Sequence, residues 1–293
     1  MGTLLVGALA GLLYLDSFTG SAAPFLFLIA LVAAVRCSQE LVWLLAERNL
    51  APIRGVTYGG VALVVASNWI VPLRQGAGRV SGGPAEGLAW PLVALGVVVL
   101  VLFAAEASRY QSPGSATESL SSGLLVVVYV GVLASFAVQL RWVDGANLGI
   151  LALVSLVATT KCGDIGAYTA GRLFGRRPLA PVLSPKKTVE GSVGGVIGSL
   201  AGAWVVLQVV PAHWFSMKPG PWPTTLLFGL AVGVTAQCGD LAESLLKRDL
   251  GKKDSSPLLL GLGGALDLLD SILFAAPVAY LFWAFRLVWP VEI

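Results

Sequence analysis

The chain has 293 residues, of which 56% are hydrophobic and only 12% charged, with a net charge of +3. Soluble domains carry about 25% charged residues, so this composition excludes a soluble enzyme and implies an all-α, polytopic membrane bundle. So small a net charge also argues against a nucleic-acid partner.

A helix that crosses hydrocarbon needs about 20 apolar residues. Nine stretches are candidates: 3–15 (short), 22–46, 56–72, 90–106, 119–140, 146–163, 189–210, 223–246 and 268–288. The sequence therefore predicts about nine transmembrane helices. Met1–Tyr14 is apolar from the start with no basic stretch ahead of it, so it reads as a first span, not a cleaved signal. Breaks fall at Asp16–Gly20, Glu47–Arg54, Arg74–Glu86, Arg109–Glu118, Arg141–Gly145 and Pro211–Pro223. Segment 74–87 is Gly-rich and polar and reads as an outer loop. No internal repeat is visible. Three cysteines, Cys37, Cys162 and Cys238, form no disulfide framework and read as small core residues.

Basic residues orient the bundle. With the N-terminus cytoplasmic, one side collects only Arg74, Arg79, Arg141, Lys218 and Arg286 of the nineteen. The other fourteen fall on the cytoplasmic side: Arg36, Arg48, Arg54 and Arg109 in the early half, Lys161, Arg172, Arg176, Arg177, Lys186 and Lys187 around the loop after the sixth span, and Lys247, Arg248, Lys252 and Lys253 after the eighth. That places a multi-pass protein in the cell (inner) membrane, with its polar loops where nucleoside triphosphates are.

Residues 1–145 read as N-terminal transmembrane helices with few chemical candidates. Glu40, followed by Trp43, reads as an interface anchor or a buried polar contact, and Glu106 ends a span. Residues 146–293 read as the catalytic transmembrane region. His213, the only histidine, falls in the outer loop 211–222, so a histidine base is unavailable on the cytoplasmic side.

Within the second half, Asp164 follows an apolar span and precedes Ala167-Tyr168. Ser184-Pro185-Lys186-Lys187-Thr188 then opens the seventh span. Hydroxyls and lysines just ahead of a helix can cradle phosphate, the helix supplying N–H groups and dipole. Taken alone, the same residues fit a positive-inside loop with a helix cap.

The stretch from Gly239 to Ser271 concentrates charge: Asp240, Glu243, Asp249, Asp254, Asp267 and Asp270, with Lys247, Arg248, Lys252 and Lys253. Charged groups beside a bilayer are costly unless paired, hydrated or metal-bound, and so mark function. On a helix over 223–247, Asp240, Glu243, Ser244 and Lys247 share one face. On a second helix from about Ala265, Asp267 and Asp270 do the same. Carboxylates without soft ligands suit a hard cation such as Mg²⁺. The turn Gly261–Leu262–Gly263–Gly264 lets backbone N–H groups approach an anion at a helix start.

Two blocks carry a family resemblance. Asp164-x-x-Ala167-Tyr168, Gly171-Arg172-x-Phe174-Gly175 and Ser184-Pro185-x-Lys187-Thr188-x-Glu190-Gly191 form the first. Ser244-x-x-Lys247-Arg248, Lys253-Asp254-Ser255 and Gly261-x-Gly263-Gly264-x-x-Asp267-x-x-Asp270-Ser271 form the second. Together they resemble the signature of phosphatidate cytidylyltransferases over roughly residues 160–275. Leu260, Leu262 and Leu268 stand where that pattern has Pro, His and Arg.

The resemblance implies transfer of a cytidylyl group from CTP to phosphatidic acid, with pyrophosphate released. It implies Asp240, Asp267, Asp270 and Asp164 as ligands of Mg²⁺, a second cation being left open. Lys187, Lys247, Arg248 and Asp249 become the catalytic set. Ser184, Lys186, Thr188, Lys253, Gly263 and Gly264 become substrate contacts. A homodimer is a family expectation only. The leucine departures keep open another lipid acceptor, as in a CTP-dependent polyprenol kinase. A transporter would place its charges near the midplane, whereas these lie at span ends on one side.

Overall fold

The computed structural model describes residues 11, 15, 16, 22–75, 84–143, 146–214, 217–251, 264–289, 291 and 292. The candidate span 3–15 lies almost wholly outside the described residues, as do the predicted site residues Lys253 and Gly263.

Among the described residues, eight helices are long and apolar enough to cross a membrane. They are α1 (Pro24–Ala46), α2 (Arg54–Arg74), α3 (Glu86–Arg109), α4 (Ala116–Trp142), α5 (Leu148–Phe174), α6 (Val189–His213), α7 (Trp222–Asp249) and α8 (Ala265–Ala284). Each predicted span from 22–46 onward has its helix. The fold is an all-α, multi-pass membrane bundle, close to the expected nine spans. α3 is peripheral, with Leu92, Leu100 and Phe103 exposed as lipid-facing residues are.

Helix ends differ from expectation where polarity and helix propensity disagree. α5 does not stop at 163 but runs to Phe174, with no proline before Pro178 and with Gly163 and Gly166 packed closely on α6. His213 closes α6 instead of lying in a loop, its Nδ1 2.9 Å from the Val209 carbonyl oxygen. Cys37 is buried as expected, but Cys162 is only partly covered and Cys238 is exposed.

Two short antiparallel pairs mark opposite ends of the bundle. β1 (Pro178–Ala180) pairs with β2 (Ser184–Thr188) between α5 and α6. β3 (Met217–Lys218), between α6 and α7, pairs with β4 (Val291–Glu292) after α8.

Close approach of α5 and α6 fixes the first of these ends. A Cβ on Gly194 would lie 2.2 Å from Ala170 Cβ, and one on Gly198 would lie 2.3 Å from the Cys162 carbonyl oxygen. Small residues let two backbones pack this tightly where lipid supplies no hydrophobic drive. One apolar core gathers Leu156, Val206, Phe228, Ala276 and Trp283. A second joins α1, α2 and α4 through Leu41, Val61 and Val127, and includes Leu266 and Leu273 of α8. α8 thus belongs to both cores.

Candidate active site

The polar residues converge where α5, α6, α7 and α8 end on one side of the bundle. Asp240, Glu243 and Lys247 occupy one face of α7, as their spacing requires. At Gly239 a Cβ would lie 2.7 Å from the Asp270 carbonyl oxygen, so α7 and α8 touch there. This contact sets Asp240 beside α8. Ser271 Oγ is 3.1 Å from Asp240 Oδ1 and 3.1 Å from Asp270 Oδ1, and the Ser271 N–H donates to Asp270 Oδ1 at 2.5 Å.

One turn earlier on α8, Asp267 accepts from the Gly264 N–H at 2.8 Å and pairs with Lys247. Lys247 Nζ is also 2.9 Å from Glu243 Oε1. Glu243, Lys247 and Asp267 therefore form one ion cluster, with Glu243 and Lys247 buried. Buried charges persist only when paired, and Lys247 is the partner of both carboxylates.

The first sequence block faces Gln237 and Asp240 of α7 across a cleft of about 610 Å³. Its walls include Asp164, Tyr168 and Arg172 of α5, Ser184, Lys186 and Lys187 of β2, Thr188, and Gln237 and Asp240 of α7. Lys187 Nζ lies 3.0 Å from Asp240 Oδ2. Lys161, which the sequence reading passed over, pairs with Asp164 Oδ2 at 2.9 Å and donates to the Leu268 carbonyl oxygen at 3.0 Å. Thr188 caps α6, its hydroxyl accepting from the Gly191 N–H at 3.1 Å. Glu190 accepts from the Arg176 and Arg177 N–H groups at 3.0 and 3.2 Å, which fixes the entry to the β1–β2 hairpin.

The predicted residues thus fall into two linked sets. Asp164, Ser184, Lys186, Lys187, Thr188 and Asp240 border the cleft. Asp270 is joined to the cleft through Ser271 and Asp240, while Lys247 and Asp267 pair farther along the same α7–α8 seam. Arg248 is exposed and donates from Nε to the Leu183 carbonyl oxygen at 3.2 Å, which fastens α7 to the hairpin turn. Gly264 precedes α8 and contributes its N–H to Asp267. Asp249, nine residues beyond Asp240, falls on the opposite face of α7 and is exposed away from the cleft.

Among the described residues, no three His, Cys, Asp or Glu side chains converge tightly enough to enclose a metal ion on their own. The hard-oxygen pair Asp240 and Asp270, facing one hydroxyl and with Asp270 only 2% exposed, still fits a divalent cation that takes its remaining ligands from outside the protein.

Two residues outside the motifs shape the centre. Glu40 of α1 is buried and accepts from the Ala265 and Leu266 N–H groups, each at 2.9 Å. Gln237 donates to the Ser192 carbonyl oxygen at 3.0 Å in the cleft wall. Of the two roles expected for Glu40, interface anchor or buried polar contact, the structure shows the second; its partner, 225 residues away, leaves no trace in the sequence.

The profile of the cytidylyltransferase family matches residues 2–286. The chain is 38% identical over 197 residues to a phosphatidate cytidylyltransferase of Synechocystis sp., covering 59% of this chain and 65% of that protein. It is 37% identical over 163 residues to one of Chlamydia pneumoniae, covering 54% and 52%. It is 30% identical over 263 residues to one of Mycobacterium bovis, covering 81% and 83%. The chain thus spans between half and two thirds of the first two relatives and most of the third.

Proposed function

The chain belongs to the cytidylyltransferase family, and we propose on that premise that it transfers the cytidylyl group of CTP to phosphatidate. The products are CDP-diacylglycerol and pyrophosphate. The observation that carries this reading is the cleft lined by Ser184, Lys186, Lys187 and Thr188 together with Asp240, where Lys187 pairs with Asp240. Cations and hydroxyls at a helix start suit a triphosphate. The lipid beside them brings its own anionic nucleophile.

In the proposed step a phosphate oxygen of phosphatidate forms a bond to the α-phosphorus of CTP. The bond from that phosphorus to the β-phosphate bridging oxygen breaks, and pyrophosphate leaves with the electron pair. The attacking oxygen carries no proton to remove, so no Ser, Cys or His nucleophile or base is needed. The protein's part is to align two polyanions and to stabilise added charge. Lys187 and Lys186 would hold the triphosphate, Arg248 would add positive charge from the hairpin turn, and Lys247 would act by holding Asp267 in place. Asp240 and Asp270 would hold Mg²⁺, with Asp267 and Asp164 as the further carboxylates. When bound, the ion would neutralise phosphate charge and favour departure of pyrophosphate.

The same proposal places the protein in the inner membrane with the cleft facing the cytoplasm, since fourteen of its nineteen basic residues fall on that side. It divides the chain into supporting helices over 1–145 and a catalytic region over 146–293. A homodimer, implied by the family alone, is tested by the mass of the purified protein in detergent.

Leu268, where the family pattern has Arg, is exposed. It favours keeping a second acceptor in the test. Radiolabelled CTP is offered with phosphatidate, a polyprenol and a polyprenyl phosphate. Label in CDP-diacylglycerol alone supports the proposal; label in a polyprenol product, or in none, refutes it.

A further inference from the structure

The N-terminal half holds no part of either signature block, yet one of its side chains reaches the centre. Glu40, on α1, is 5% exposed, and both its oxygens accept from the first two N–H groups of α8. A helix start leaves its first N–H groups without intrahelical partners, and its dipole favours negative charge there. α8 divides these groups between two carboxylates: Glu40 takes Ala265 and Leu266, and Asp267 takes Gly264.

The position is geometrically restrictive. A carboxylate that holds two successive N–H groups fixes both the depth of α8 and its rotation about its own axis. Asp267 and Asp270 project from that same first turn and a half. Rotating or sliding α8 would carry Asp267 away from Lys247 and Asp270 away from Ser271 and Asp240. Glu40 is itself held. Cys37, one turn earlier on α1, and Leu41, the next residue, are fully buried in the core that includes Leu266 and Leu273 of α8. Tyr129 of α4 packs edge-to-face on Phe274 of α8 at 5.8 Å. α1 and α4 therefore make a rigid back wall for the acidic helix.

We infer that Glu40 is a positioning residue of the active centre, a clamp from the N-terminal half that sets α8 in the register where Asp267 and Asp270 face Lys247 and Asp240. Asp16 makes the same type of contact at α1, accepting from the Phe25 and Leu26 N–H groups at 3.0 and 2.8 Å, but there the capped helix carries no site carboxylate on its first turn. The clamp at α8 differs in what it aligns.

The inference rests on the reading that Asp267 and Asp270 serve CTP-dependent transfer, so the experiment separates the two. The purified full chain is assayed in detergent with CTP, phosphatidate and Mg²⁺ as wild type, E40A, E40Q and D267N. Amide exchange is followed over residues 264–270, and melting is followed in parallel. Displacement of reacting groups by about 1 Å costs on the order of 100-fold. E40A is expected to lose between about 10-fold and 100-fold in kcat, with KM for CTP within about twofold, because Glu40 lies outside the cleft with both oxygens held by α8. E40Q keeps one acceptor oxygen and is expected to fall between E40A and wild type. Exchange at 264–270 rises in E40A while the melting midpoint of E40Q stays near wild type. E106Q, a carboxylate at the same end of the bundle away from α8, stays at wild-type turnover.

Wild-type kcat in a folded E40A, or E40Q losing activity with unchanged exchange at 264–270, overturns the clamp. Should E40A fail to fold, the E40Q values decide. Full activity of D267N overturns instead the reading on which the clamp rests, whatever Glu40 does.

Discussion

Lys187 and Asp240 meet at 3.0 Å, and their contact joins the hairpin ahead of α6 to the face of α7. The two residues lie more than fifty positions apart in the sequence. Their pairing turns a basic loop and an acidic helix into one cleft.

Lys187 is half-buried and faces the cleft directly. Lys187→Ala is expected to cut CTP turnover on the order of 100-fold, the usual cost of removing one fixed donor to developing charge. Lys187→Arg keeps the charge but not the compact ammonium, and partial activity is expected. Steady-state kinetics of the two variants in detergent check this; equal activity in Lys187→Ala and wild type would remove Lys187 from the site.

Ser271 holds Asp240 and Asp270 through one hydroxyl. Ser271→Ala is expected to raise the Mg²⁺ concentration for half-maximal activity by about 10-fold, since groups that orient metal ligands carry effects of that size. The readout is a Mg²⁺ titration at saturating CTP. An unchanged midpoint would show that the hydroxyl orients nothing.

Lys247 pairs with both Glu243 and Asp267, and it and Glu243 are buried. Lys247→Met leaves two carboxylates without their cation, a loss of about 3–5 kcal/mol by the behaviour of broken buried pairs. The double variant Glu243→Gln/Lys247→Met restores much of that stability but not activity. Thermal melting together with turnover separates the two effects.

Packing of α5 on α6 depends on missing side chains. A Cβ at Gly198 would collide with the Cys162 carbonyl oxygen at 2.3 Å. Gly198→Val is expected to cost about 1–3 kcal/mol and to weaken catalysis as well, because α5 carries Asp164 and α6 follows Lys187. Gly96→Ala, where a Cβ meets nothing within 4 Å, serves as the control and should melt as wild type does.

Hydropathy made the spans legible because lipid demands a run of about 20 apolar residues whatever the packing. It failed at α5, where Lys161, Asp164 and Arg172 ended the apolar run but not the helix. The face shared by Asp240, Glu243 and Lys247 was legible from spacing, since a helix repeats every 3.6 residues. The ion cluster was not, because Lys247 spends its charge on Glu243 and Asp267 instead of pointing into the cleft. The π-helical turns at Val127–Val132 and Val205–Val209 sit in valine-rich runs that carry no mark of them. Glu40 was readable as buried but not as a cap, because a tertiary contact across 225 residues leaves no local pattern.

The most direct test of the account is the balance of products from the purified chain in detergent with CTP, phosphatidate and Mg²⁺. The account predicts one pyrophosphate released per CDP-diacylglycerol formed, no CTP consumed without lipid, and loss of both products on chelation and in Asp267→Asn. CTP turnover that ignores phosphatidate, or full turnover in folded Asp267→Asn, would contradict it.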